Sequence, residues 1–145
     1  QHRALGGFSE IAKKPFFHEG MLAGDASRTR LILQILFSDG RILPRSLLKG
    51  HAGEVLDVSV FPDGLKLATA SYDKTAIVWD AIAGQQLLKL QGHAGSIWGV
   101  SVFPDGLKLA TASEDKTAGV WDAATGRQLL KLEGHAGGVH GVSVF

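Results

Sequence analysis

Gly-His pairs stand at Gly50-His51, Gly92-His93 and Gly134-His135, and Trp-Asp pairs at Trp79-Asp80 and Trp121-Asp122, all at a spacing of 42 residues. Residues 50–91 and 92–133 agree at 32 of 42 positions, and a third copy begins at Gly134 and runs to Phe145. A chain written this way folds as an array of equal units. Each unit is too small to bury its own apolar faces, so it depends on its neighbours.

Within one unit the residues read as strands and tight turns. Val55 to Phe61 is β-branched and apolar. Pro62-Asp63-Gly64 follows, with Pro and Asp at the central positions of a type I turn and Gly after them. Leu65 to Ser71 is a second strand, Asp73-Lys74 a turn, Thr75 to Trp79 a third strand, and Gln86 to Leu90 a fourth. Gly84 and Gly126 close the intervening turn, where positive φ is needed. Four short antiparallel strands make one small sheet. Its strands are apolar or small on both faces (Val58, Val60, Ala68, Ala70). A sheet of this kind needs cover on both sides, and radial stacking supplies it.

Gly-His, Pro-Asp-Gly, Leu-Ala-Thr-Ala-Ser-x-Asp-Lys-Thr and Val-Trp-Asp, linked at fixed spacing over residues 50–145, resemble the WD-repeat family of β-propellers. The resemblance implies an all-β fold of four-stranded antiparallel blades around a central channel. With two full units, against the four to eight typical of a closed ring, it implies an incomplete propeller fragment. It also implies that the polar residues bracket each blade internally: His51, Thr69, Asp73 and Trp79 in one network, His93, Thr111, Asp115 and Trp121 in the next. The imidazole would sit between the carboxylate and the threonine hydroxyl, which would accept the indole N–H. Such a network is stable only when every member is satisfied. A catalytic triad of the same Asp, His and Thr is disfavoured, because an enzyme gains nothing from repeating its active site every 42 residues.

Ten positions differ between the copies, and four of them cluster: Glu54/Ser96, Leu56/Trp98, Asp57/Gly99 and Tyr72/Glu114. They fall at the start of the first strand and just before the network Asp, at one end of the blade. In the family this is the usual partner-binding end. The expected partner face is therefore Glu54, Leu56, Tyr72, Ser96, Trp98, Glu114 and His140, which stands in the third copy where Trp98 stands in the second. Trp98 is either an interface anchor or a residue packed on its own neighbours. His135 and His140 lack a third ligand nearby, so no metal site is expected. Where the family commonly has a small polar residue before Pro-Asp-Gly, this chain has Phe61, Phe103 and Phe145. These either pack over the turn or form an apolar contact ring at the opposite end.

Residues 29–49 read as a degenerate outer hairpin of a preceding blade, turning at Ser38-Asp39-Gly40. Residues 1–28 read as a terminal arm or linker. The units then run 50–91 (blade 1), 92–133 (blade 2) and 134–145 (first strand of blade 3). The longest apolar stretch, Leu31 to Phe37, is broken by Gln34 and is far short of the roughly 20 residues of a membrane helix. With 15 basic and 14 acidic residues, no long-range field recruits nucleic acid or an anionic membrane. Cysteine and asparagine are absent, which excludes disulfides, thiolate metal sites and N-glycosylation. The expectation is an intracellular, cytoplasmic, non-enzymatic scaffold that needs no cofactor and binds protein partners. Remaining blades, other copies or a larger assembly would cover its open faces. The alternative is the regulatory propeller of a larger enzyme, a nucleotide hydrolase or kinase, whose catalytic domain lies elsewhere. An RNA- or sugar-binding propeller is a third reading.

Overall fold

The computed structural model describes residues 3–4, 17–24, 30–37 and 46–145, with side chains from Leu48 onward. Twelve strands are present among them. β1 (Arg3–Ala4), β2 (Phe17–Gly24), β3 (Arg30–Phe37) and β4 (Ser46–Lys49) form one antiparallel sheet in sequence order. β5 (Val55–Val60), β6 (Lys66–Ser71), β7 (Ala76–Asp80) and β8 (Gln85–Leu90) form the second. The third is β9 (Ile97–Val102), β10 (Lys108–Ser113), β11 (Ala118–Asp122) and β12 (Gln128–Leu132).

Two expectations need correction. Residues 1–28, expected as an arm or linker, contribute β1 and β2, which pair with each other and, through β2, with β3. That segment has no second copy against which its strand pattern could be read. Residues 134–145, expected as a first strand, form no ladder. In these sheets the first strand draws its hydrogen bonds from the second strand of the same sheet, and no described residue after Gly134 supplies one. The hairpin turn expected at Ser38-Asp39-Gly40 lies outside the described residues, but β3 and β4, which flank it, pair as Arg30↔Lys49 through Leu33↔Ser46.

Turn chemistry sets the register of the second and third sheets. The Gly64 amide donates to the Phe61 carbonyl at 2.9 Å, and Gly64 takes φ +72°, a conformation that costs a Cβ-bearing residue about 1–2 kcal/mol. The Asp of each Trp-Asp pair caps the next turn: Asp80 Oδ1 accepts the Ile82 and Ala83 amides, both at 2.9 Å, and Asp122 repeats this with Ala124 and Thr125.

Among the described residues, one buried apolar cluster lies between the second and third sheets. Ala68, Ala70, Ala76, Val78 and Leu90 face Ile97, Val100, Leu109 and Trp121 in one buried cluster. The alanines let the sheets approach closely while the indole fills the space they leave. The corresponding surface of the third sheet is open: Leu132 is 49% exposed, whereas its counterpart Leu90 is fully buried. Phe61 is buried with Lys66 Nζ 5.0 Å above its ring, and Lys108 repeats this over Phe103 at 5.2 Å. Phe61 thus packs over its turn, while Phe145 is fully exposed, so the three phenylalanines form no common ring.

Candidate functional site

The polar residues of each unit are drawn together by its strands. β6 carries Thr69, β7 carries Trp79, the β6–β7 turn carries Asp73, and the loop before β5 lays His51 across them. His51 Nδ1 lies 3.0 Å from Asp73 Oδ2, and Nε2 lies 2.6 Å from Thr69 Oγ1. Trp79 Nε1 donates to Thr69 Oγ1 at 2.9 Å. The second unit repeats the set: His93–Asp115 at 2.9 Å, His93–Thr111 at 2.7 Å and Trp121–Thr111 at 2.9 Å.

Proton counting orients this chain. An indole N–H only donates, so the Thr69 oxygen accepts from Trp79 and its own proton goes to His51 Nε2. Nδ1–H then donates to the carboxylate, which is the neutral tautomer. Burial lowers the His51 pKa, and Lys89 adds to this, against the pull of Asp73. For Asp73, burial acts upward, but hydrogen bonds from Thr75, the Ala52 amide and His51 outweigh it and hold the carboxyl below its ordinary range. Asp115 is held low in the same way by Thr117, His93 and the Ala94 amide.

Several participants were not singled out in the sequence. Thr75 gives both its amide (2.9 Å) and its hydroxyl (2.5 Å) to Asp73 Oδ1. The Ser71 hydroxyl reaches the Gly53 and Glu54 carbonyls and accepts the Asp73 amide. Their signal was present, since Ser71 and Thr75 are the same in both copies, on either side of the Tyr72/Glu114 difference. Gly53 is needed because a Cβ there would stand 2.9 Å from the Asp73 amide nitrogen.

The copies differ inside the bracket at Ile77/Gly119. A Cβ on Gly119 would stand 2.7 Å from Trp121 Nε1 and 3.0 Å from Thr111 Oγ1. Ile77 carries a Cβ at the matching place with the Trp79–Thr69 bond intact at 2.9 Å, so a small shift of the indole accommodates it. Gly119→Ala should therefore gain about 0.5–1 kcal/mol, as for a strand glycine replaced by alanine, measured as a higher urea midpoint. A lowered midpoint would show that the second bracket cannot make the adjustment present in the first.

The seven rim residues lie at one end of the sheets. The Tyr72 amide donates to the Glu54 carbonyl at 2.8 Å, and Glu114 repeats this with Ser96 at 2.9 Å. Ser96 Oγ reaches the Tyr72 carbonyl at 3.0 Å. Leu56 and Trp98 occupy the two matching register breaks, between Val55 and Asp57 and between Ile97 and Gly99. Such a bulge re-aims the side chain it carries. Trp98 lies against His140 with ring centroids 5.3 Å apart, and His140 Nε2 is 3.5 Å from Glu114 Oε1. The Trp98 N–H is buried without a protein acceptor. Tyr72 is 60% exposed. Among the described residues there is no group of three or more potential metal ligands, and no helix long and apolar enough to cross a membrane.

Comparison with known proteins places these features. The WD domain, G-beta repeat family matches residues 43–80 and 84–122, just over half of the chain. Each match takes in the outer strand of one sheet, β4 or β8, and ends with the third strand of the next, β7 or β11, so the family's repeat is staggered by one strand against the sheets. A chromatin assembly factor 1 subunit from Gallus gallus is 45% identical over 28% of this chain and 7% of its own length. The ribosome biogenesis protein erb1 of Aspergillus clavatus is 51% identical over 29% of this chain and 5% of its own length. The alignments thus span less than a tenth of these curated relatives. Among solved structures, the RRP9 WD40 repeats superpose with a TM-score of 0.74 at 24% identity, over 86% of this chain and 38% of that one. U3-55K gives a TM-score of 0.72 at 25% identity, over 86% and 39%. A 42-residue repeat, three four-stranded antiparallel sheets and a Trp-Thr-His-Asp bracket in each full copy make this chain a member of the WD-repeat family.

Proposed function

We propose that the chain is a non-catalytic scaffold whose partner is a protein docking on the rim formed by Glu54, Leu56, Tyr72, Ser96, Trp98, Glu114 and His140. The observation that carries this reading is the contrast between bracket and rim. Thr69 and Thr111, the hydroxyls that would have to act as nucleophiles, are fully buried and accept the Trp79 and Trp121 indole N–H, so the groups that resemble a catalytic set are out of a substrate's reach. The rim, in contrast, presents the exposed ring of Tyr72 and a half-buried Trp98, and aromatic residues of this kind dominate interface energies. Two relatives bear names that place them in chromatin assembly and ribosome biogenesis. Service within a larger assembly is the corresponding role here. A net charge of +1 favours a protein over a nucleic acid as the partner. In the same reading, Leu130 and Leu132 on the open third sheet are covered by further blades, other copies or the assembly itself.

The test is capture of partner by the wild type and by Tyr72→Ala, with circular dichroism verifying the fold. Affinity should fall about tenfold or more for a rim anchor, at unchanged stability. Equal capture by a folded variant would remove Tyr72 from the contact surface.

A further inference from the structure

The positions at which the two copies differ at the rim are also positions that touch the next repeat. At the first seam, Asp57 Oδ2 accepts the Val100 amide at 3.1 Å. Ser59 Oγ accepts the Val102 amide at 3.0 Å, and Ser96 Oγ reaches the Tyr72 carbonyl. At the second seam the counterpart of Asp57 is Gly99, which brings no carboxylate. The third repeat instead runs close by: a Cβ on Gly99 would lie 3.4 Å from Gly141 Cα and 3.5 Å from the Val142 nitrogen. This seam is held by Trp98 and Glu114, which clamp His140 between ring and carboxylate, and by the Val139 amide donating to the Ser113 carbonyl at 2.8 Å. Each of the four clustered pairs, 54/96, 56/98, 57/99 and 72/114, therefore has at least one member in contact across a seam.

We propose that these four pairs label the seams. The Asp57 closure accepts the sheet that begins at Ile97, the Trp98–Glu114 clamp accepts the repeat that carries His140, and the difference keeps near-identical repeats in order. The framework cannot do this, because 32 of 42 positions are the same in both copies. Contacts made equally well by right and wrong neighbours confer no specificity. Misassembly between like repeats is a recognised failure of such chains. Suppose a second unit stacked on another molecule's second unit. Trp98 would meet Trp98 in place of His140, Glu114 would lose its imidazole partner, and Gly99 would leave the Val100 amide without the carboxylate that Asp57 supplies. The correct order keeps all three contacts. This labelling does not depend on any outside partner, so it stands or falls separately from the docking role of the rim.

Amide hydrogen exchange on the 145-residue chain reads both closures. Asp57→Ala should speed exchange at Val100 about tenfold, as expected for one lost hydrogen bond. Glu114→Gln and Trp98→Leu should each speed Val139 severalfold, and neither should add to the effect of His140→Gln. Order itself is tested by giving the second copy the first copy's labels, in the quadruple variant Ser96→Glu, Trp98→Leu, Gly99→Asp and Glu114→Tyr. Its control carries the same number of copy-equalising changes elsewhere: Ala124→Ile, Thr125→Ala, Arg127→Gln and Glu133→Gln. Two differently tagged preparations of each are refolded together. The label-equalised variant should yield mixed, strand-exchanged oligomers in tandem affinity purification, and the control should resemble the wild type. Equal exchange by the two quadruple variants would overturn the proposal. Should the equalised variant not refold, Val139 protection unchanged in the two clamp variants overturns it on its own.

Discussion

Trp121→Ala should lower the unfolding free energy by about 3–5 kcal/mol, the range for emptying a large aromatic site in a packed core. The indole is 1% exposed and belongs to the cluster between the second and third sheets. Its removal therefore leaves a cavity at the junction of two sheets. The rigid ladders on either side cannot close in to fill it, which places the cost at the upper end of the range. A second term follows from the bracket: Thr111 loses the donor that its oxygen accepts at 2.9 Å. Trp121→Phe separates the two contributions, because it keeps most of the volume and loses the N–H. It should cost about 1–2 kcal/mol for the hydrogen bond and the residual gap together. Urea melts followed by far-ultraviolet circular dichroism measure both. A Trp121→Ala midpoint matching the wild type would mean that the indole is not part of the core. Since a domain has only about 5–15 kcal/mol in total, the truncation removes a large share of the margin.

What was readable in the sequence was what is local or repeated. Pro62-Asp63-Gly64 announces its own turn, because Pro presets φ and Gly takes the left-handed position observed at +72°. The four strands of each full unit follow from turn spacing, and the bracket follows from the family resemblance. The sheet that includes β1 and β2 was not readable. β1 has two residues, and β2 contains Gly20 and Gly24, so neither shows strand composition; β2 is held by its pairing with β3, and β1 by its pairing with β2. The third repeat shows the opposite failure. Val139 to Phe145 spells strand text without forming a strand, since a ladder is a property of two segments and one segment's composition cannot supply it. Asp57 and Glu114 read as variable rim residues. Their partners, Val100 and His140, lie across a seam, and no pattern within a single copy points to a contact between copies.

Acidification should destabilise the fold in two stages, and the bracket carboxylate sets the second. Asp73 Oδ2 accepts from the Ala52 amide and the His51 ring, while Oδ1 accepts from the Thr75 amide and hydroxyl. Asp73→Ala strands these donors at once and should cost about 2–4 kcal/mol at pH 7. The folded-state pKa of Asp73 lies below its ordinary value of 3.8, as does that of Asp115. Their contribution is therefore complete above about pH 4 and is lost as pH falls through the lower folded values. His51 acts earlier. Its folded pKa lies below 6.5, so from about pH 6.5 downward the unfolded chain takes up a proton that the folded chain refuses. Stability then falls by at most about 1.4 kcal/mol per pH unit for this one site. The refusal has a structural cause: a protonated ring would point Nε2–H at Thr69 Oγ1, which already accepts from Trp79. The hydroxyl proton would have to turn to the Ile77 carbonyl, 3.5 Å away. Urea midpoints between pH 7 and pH 3 test the order of events. His51→Gln should flatten the slope between pH 6.5 and 5 and leave the later acid limb from Asp115 in place. A wild-type profile flat down to pH 5 would show that His51 protonates as readily in the fold as in the open chain, contrary to the proton order deduced for the bracket.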